Sequence, residues 1–202
     1  MQVSRLHRHV WVALCWVALC LIGLLTPLSG QASQTQTDVE VEGVHFPQHL
    51  DTEPRLSLVG AGLLRYRWVI KAYVAAFYQS DPNAAPDDPT IARRLTIEYF
   101  HDIAAEDFAE ATLKGVEQNL SAQAFAQLKN RVAQFNRLYQ DVKPGDRYTL
   151  DYIPSQGITL RLNNHALGQL MDQKLAMALF AIWLGPDPVD EDLKAELLGK
   201  DN

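Results

Sequence analysis

Apolar positions along this chain recur with two different periods, and the changes of period mark out its elements. Val39-Glu40-Val41-Glu42 alternates with period two and predicts a strand. Residues 56–58 predict a short extended piece, interrupted by Gly60-Ala61-Gly62, where two glycines predict a tight turn or bulge. From residue 63 to residue 79 every even position is apolar or aromatic: Leu64, Tyr66, Trp68, Ile70, Ala72, Val74, Ala76 and Tyr78. That alternation predicts one long strand with a dry face. Its odd face gathers Arg65, Arg67, Lys71 and Tyr73, then turns apolar at Ala75 and Phe77, so part of the second face is covered too.

Beyond that strand, residues 80–89 hold three prolines and read as a loop, and residues 94–101 read as a strand. The period then lengthens. Phe108, Thr112, Val116 and Leu120 mark a helix over 105–120, and Phe125, Leu128, Val132, Phe135 and Leu138 mark an amphipathic helix over 121–139. After the turn Pro144-Gly145-Asp146, residues 147–153, 158–162 and 165–170 predict three strands in hairpin succession, turning at Gln156-Gly157 and Asn163-Asn164. Residues 172–184 predict an apolar helix with Gly185 as its left-handed terminator. A last short helix is expected to start at Pro188, with Asp187 as N-cap and Asp190 in its first turn. Strands, a helical pair, a meander and then helices imply an α+β fold, an antiparallel sheet with helices on one face. A ligand would lie on the helix-free face or in the gap between sheet and helices.

The N-terminus changes the chemistry. Residues 1–9 carry Arg5, His7, Arg8 and His9 and no acid; an apolar run fills 10–28, and Ser29-Gly30-Gln31-Ala32 ends it with small residues where a signal peptidase reads. The run, about 19 residues, is long enough to span a bilayer, but the small residues and the polar stretch after them favour cleavage. Cys15 and Cys20 lie deep in the run, each after leucine, which disfavours a lipoprotein. The expectation is a secretory signal at 1–32, a polar leader at 33–38 and one domain at 39–200, secreted and periplasmic, with no stable membrane span after cleavage. Both cysteines leave with the signal, so the domain forms no disulfide and no thiolate metal site. The formal net charge moves from −6 to −8, because Arg5 and Arg8 are the only charges lost. So acidic a domain is a poor partner for nucleic acid or an anionic membrane. About 170 residues remain, enough for one real core.

Catalytic constellations are absent from the sequence: no cysteine nucleophile, no Gly-x-Ser-x-Gly elbow, no phosphate loop. Pro47 separates His45 from His49, so they do not share a helix face, and no metal or other cofactor is expected. Asn119-Leu120-Ser121 matches a glycosylation acceptor but reads as a helix start, and His101-Asp102 reads as a strand-end turn. The cationic strand face is the remaining feature. It is either a solvated, ion-paired surface or an anion site at one end of an apolar cavity. A guanidinium fork with a tyrosine hydroxyl suits a carboxylate, and an acyl chain behind it would contribute about 0.8 kcal/mol per buried methylene.

The segments Val41-Glu42-Gly43-Val44-His45-Phe46-Pro47, Leu58-Val59-Gly60-Ala61-Gly62, Lys71-Ala72-Tyr73-Val74-Ala75-Ala76-Phe77-Tyr78, Tyr99-Phe100-His101-Asp102-Ile103, Pro144-Gly145-Asp146 and Ile182-Trp183-Leu184-Gly185-Pro186, with Asp192-Leu193-Lys194, occur in a telling order. Together they resemble the bacterial chalcone isomerase-like proteins. The resemblance implies an open-faced β-sandwich, a large antiparallel sheet covered by a layer of helices. It does not carry the plant enzyme's activity, attack of a phenolate on an enone. Arg65, or Arg67 after a one-residue shift, matches that enzyme's arginine; Tyr73 stands at its first threonine, Phe108 at its tyrosine, Gly115 near its asparagine and Ile182 at its last threonine. Oxyanion donors supply about 3 kcal/mol each, so their loss should abolish turnover. An arginine followed by a tyrosine on that strand is similar to the fatty-acid-binding branch of the fold. The leading expectation is therefore a non-catalytic binder of a fatty acid or similar amphipathic carboxylate, with Arg65, Tyr73 and Arg67 at the head group and Phe108 and Ile182 lining the cleft. Two alternatives stand beside it: an isomerase or lyase using Tyr73 or His101, and a structural or interaction protein of the envelope whose cleft is filled by side chains.

Overall fold

The computed structural model describes residues 38–67 and 69–200. The expected signal and nearly all of the polar leader lie outside the described residues. The chain opens with a hairpin, β1 (Val39–Val41) and β2 (Val44–Phe46), turned by Glu42 and Gly43, whose φ angles of 53° and 82° fit the left-handed turn such hairpins need. A short β3 (His49–Leu50) leads into β4 (Leu56–Tyr66), β5 (Ile70–Gln79) and β6 (Arg93–Tyr99). Two helices follow, α1 (Ala105–Gln118) and α2 (Ala122–Asn136), then the meander β7 (Arg147–Ile153), β8 (Gly157–Leu162) and β9 (His165–Leu170), and last α3 (Gln173–Leu184) and α4 (Glu191–Leu197). Strands β3 to β9 form one antiparallel sheet of seven in chain order. The α+β architecture expected from the element order is the one observed.

The long strand expected over 63–79 is two strands. A turn between Tyr66 and Ile70, with Arg67 at φ 51° and Val69 donating to the Tyr66 carbonyl at 3.3 Å, folds it into the β4–β5 hairpin. Of the tight turn or bulge expected at Gly60-Ala61-Gly62, the structure has the bulge: β4 runs through these residues with a register shift between Leu58 and Gly60. The hairpin reverses the parity of the faces: Leu64 and Tyr73 are cross-strand partners on the same, helix-covered side. A second register shift, between Leu64 and Arg65, pairs Arg65 with Lys71. Directly opposed residues share a face, so Lys71 parts company with Tyr73 and joins Arg65.

Strand β5 is dry on both sides: Val74, Ala75, Ala76, Phe77 and Tyr78 are all fully buried. Ala75 and Phe77 join the main core beneath the helices, with Leu95, Ile97, Val132, Leu175 and Leu179. Val74, Ala76 and Tyr78 face the other way and are sealed by Val44 and Phe46 of the β1–β2 hairpin. Burying each large apolar side chain contributes roughly 1.5–3 kcal/mol, so this hairpin is a structural cover. Farther along the same outer face the sheet turns polar but stays paired. Asp151 receives Arg94 at 2.5 Å and Arg161 at 2.9 Å, and Glu98 receives Arg147 at 2.5 Å.

The helix ends differ from expectation in two places. Asp190, rather than Asp187, caps α4, accepting from the Leu193 amide at 2.8 Å. Gly185 follows α3 with φ −78° in an extended conformation, so it is no left-handed terminator; its small size is needed because a Cβ there would meet Asn119 and the Ala181 carbonyl. Asn119 is fully engaged, donating to the Gly115 and Asp187 carbonyls and accepting from the Asp187 amide at 3.1 Å, and Ser121 caps α2. The glycosylation match is thus a helix junction. At Gly60 a Cβ would strike the backbone carbonyl of Glu196 in α4, which cannot rotate away as a side chain can. Gly60→Ala should therefore lower unfolding stability by about 1–3 kcal/mol, read as a lower midpoint in urea at unchanged slope.

Candidate functional site

Arg65 ends β4 on the outer face, where its guanidinium meets Glu42 at 3.2 Å and remains 45% exposed. Lys71 bonds the other oxygen of the same carboxylate. The Lys71 hydrogen bond, then the charges of Lys71 and Arg65, hold the Glu42 carboxyl below its ordinary range. Arg67 sits in the turn with its guanidinium over the Tyr66 ring, 5.3 Å from the centroid. The expected burial of these arginines in an apolar hollow is thus corrected: one is neutralised by an acid of the same chain, and both are outside. The period-two reading fails here because a turn and a register shift intervene. His101 places Nε2 2.9 Å from the Lys71 carbonyl, a strand-end contact.

Tyr73, Phe108 and Ile182 do converge in the interior between sheet and helices. The Tyr73 hydroxyl accepts from Trp183 Nε1 at 2.9 Å, and its ring lies 5.7 Å from Tyr99. Phe108 packs edge-on to Tyr99 and Tyr148, each at 5.2 Å, and stacks on Tyr139 at 5.4 Å. Ile182 fills the space above Gly115, where a Cβ would come within 3.0 Å of it. Rings and methyls therefore occupy the ground where the family resemblance placed a lined cleft. Burial pushes the Tyr73, Tyr99 and Tyr139 phenols well above their ordinary value of 10.0. They are held as neutral hydroxyls, unsuited to act as bases near pH 7.

An open hollow lies at the other end of the sheet. A cleft of about 970 Å³ opens between α2, α3 and the 80–92 loop. Leu120, Leu128, Met177, Phe180 and Leu184 give it apolar walls; Arg93, Arg131, Lys174 and Lys194 supply four cations against the acids Asp87 and Asp172. Arg131 pairs with Asp172 at 3.0 Å, and Lys194 reaches Glu191 at 3.5 Å. Lys174 has no ion-pair partner among the described residues.

Arg93 forms the floor and is 1% exposed. Its guanidinium donates to the carbonyls of Pro86 and Asp88, and Nε to that of Ile91 at 3.4 Å. It lies against the rings of Tyr152 and Phe180, at 5.8 and 5.7 Å. The Tyr152 hydroxyl and Gln79 Nε2 bond the same loop, at Pro89 and Ala85. These contacts hold the loop as a fixed wall. Burial pushes the guanidinium below its ordinary value, yet an arginine stays charged. No carboxylate forms an ion pair with it among the described residues; loop carbonyls take its direct hydrogen bonds, and the charges of Asp88 and Asp87 in the same loop act on it from farther away. Arg93 shares the parity of Leu95, Ile97 and Tyr99, the dry face of β6; starting that strand at Arg94 hides it, although a cation at the head of an apolar alternation after a proline-rich loop is a visible signal.

Among the described residues, no group of three or more His, Cys, Asp and Glu converges to hold a metal. The buried phenols set an alkaline limit. Unfolded phenols ionise near 10, the folded ones only at higher pH. Their contribution to stability is therefore complete below pH about 10 and is lost as pH rises beyond it. Tyrosinate absorbance from Tyr73, Tyr99 and Tyr139 should rise together with loss of circular dichroism, and a reversible tyrosinate signal from them in the folded state would contradict this packing.

A family model described as chalcone isomerase-like matches residues 38–199. No curated protein matches the chain. Among solved structures, a fatty-acid binding protein of Arabidopsis thaliana matches with a TM-score of 0.65 at 13% sequence identity, over 80% of this chain and 96% of that one. At that identity the likeness speaks for the shared fold. The family match takes in every element from β1 to α4, and the chain belongs to the chalcone isomerase-like family.

Proposed function

We propose that this protein is a non-catalytic binder of a fatty acid or similar amphipathic carboxylate, held in the cleft between α2, α3 and the 80–92 loop. The observation that carries this reading is Arg93, buried at the floor of an apolar hollow with no carboxylate in ion-pair contact among the described residues. Three of the five guanidinium N–H groups are used by loop carbonyls, which leaves donors for a carboxylate. Lys174 adds an unpaired cation to the lining. The volume suits a ligand of this size, since small-molecule sites run from roughly 300 to 1,000 Å³. The fatty-acid-binding description of the matched Arabidopsis thaliana structure supports the same ligand class. The reading includes export to the periplasm, supported by the basic start, apolar run and small-residue end of residues 1–32.

Native mass spectrometry with added palmitate tests it: one bound palmitate per chain is expected. Ala124→Trp, which fills the cleft from α2, should weaken binding roughly tenfold or more, and Lys174→Glu should weaken it several-fold, about 1 kcal/mol. Palmitate bound equally well by both variants, at unchanged melting temperature, would place the ligand elsewhere. Incubation with a chalcone should leave enone absorbance falling no faster than in buffer.

A further inference from the structure

We propose that the β4–β5 turn is a docking tip for an anionic bilayer surface. Tyr66, Val69 and Ile70 stand out at this turn with 56%, 80% and 47% of their surface exposed. Cations collar them. Arg67 lies along the Tyr66 ring and has no acidic partner among the described residues, while Arg65 and Lys71 share the single carboxylate of Glu42. Three cations against one acid make the tip locally positive on a chain whose formal net charge is −6. Acids farther from the tip than a Debye length, about 8 Å at physiological salt, are screened, so the tip meets a surface with its own sign. The net charge of the whole domain, which argues against anionic membranes, averages this local feature away.

The chemistry favours a bilayer over a protein. Apolar side chains at an extremity, with a tyrosine and arginines at their base, match the order of acyl region, interface and anionic head groups. The core of a protein interface is depleted of charge and needs roughly 800 Å² per partner, more than three side chains on a turn present. The tip is at the Ile70 end of β5, while the 80–92 loop that walls the cleft follows its Gln79 end. Docking would leave the cleft open, and the two proposals stand or fall separately.

Amide hydrogen exchange of the full chain tests this, with vesicles of phosphatidylcholine alone and of phosphatidylcholine and phosphatidylglycerol in a two-to-one ratio. The amides of Arg67, Val69 and Ile70 should exchange several-fold more slowly on the mixed vesicles and unchanged on phosphatidylcholine. Arg67→Glu and Val69→Glu, both at exposed positions, should abolish that protection while palmitate binding persists. Unprotected tip amides on protein that nonetheless sediments with vesicles would show attachment through another segment and overturn the proposal. Equal protection on both vesicle types, or protection surviving Arg67→Glu, would overturn it as well.

Discussion

A strand that is dry on both faces dictates the layout of this protein. Five consecutive residues of β5 have no access to water, so each side of the sheet needs a cover: the helices on one, the β1–β2 hairpin on the other. An unpaired charge in the middle of such a strand would cost several kcal/mol. Charge on β5 is accordingly confined to its start, at Lys71, and the neighbouring strands keep theirs in pairs, Arg94 and Arg161 on Asp151 and Arg147 on Glu98. Both surfaces with chemistry to offer, the turn before β5 and the cleft beyond it, lie where the dry strand stops.

Two arginines show how differently the fold can place a guanidinium. Arg65 has a carboxylate at hydrogen-bonding distance and open solvent around it, so its net electrostatic pull on a ligand is weak. Arg93 has neither. Its hydrogen bonds go to neutral carbonyls, which satisfy donors without cancelling charge. The sequestered guanidinium sought in the sequence is thus Arg93 and not Arg65.

The legibility of the sequence followed the range of the interactions. The β7–β9 meander was readable because its turns declare themselves locally, and Asn163 and Asn164 adopt φ of 48° and 69° as such turns require. The helical stripes Phe125, Leu128, Val132 and Phe135 were readable for the same reason. The β4–β5 turn was not, because it carries no glycine, proline or asparagine and keeps the apolar rhythm running through it. One concealed turn reversed the parity of the next strand, and a register shift then moved Lys71 to the opposite face from Tyr73. Gly185 misled in another way: a glycine after a helix suggests a left-handed residue, whereas here the demand is for space beside Asn119. Such long-range contacts leave no trace in local spacing.

The same packing bears on catalysis. The fold's interior gathers Tyr73, Tyr99, Tyr139 and Tyr148 around Phe108, a set of hydroxyls that in a solvated pocket could polarise a carbonyl. Here the rings are one another's contacts, and three of the hydroxyls are taken up by Trp183, Thr112 and Gln140. Desolvation keeps the protons on them. An oxyanion site needs donors aimed at a space that the substrate enters, and Ile182 over Gly115, with Phe108 among the tyrosines, fills that space with side chains. The polar groups have become part of the core, and the open apolar wall lies instead in the cleft at the sheet's end, with Arg93 buried at its floor and Lys174 in its lining.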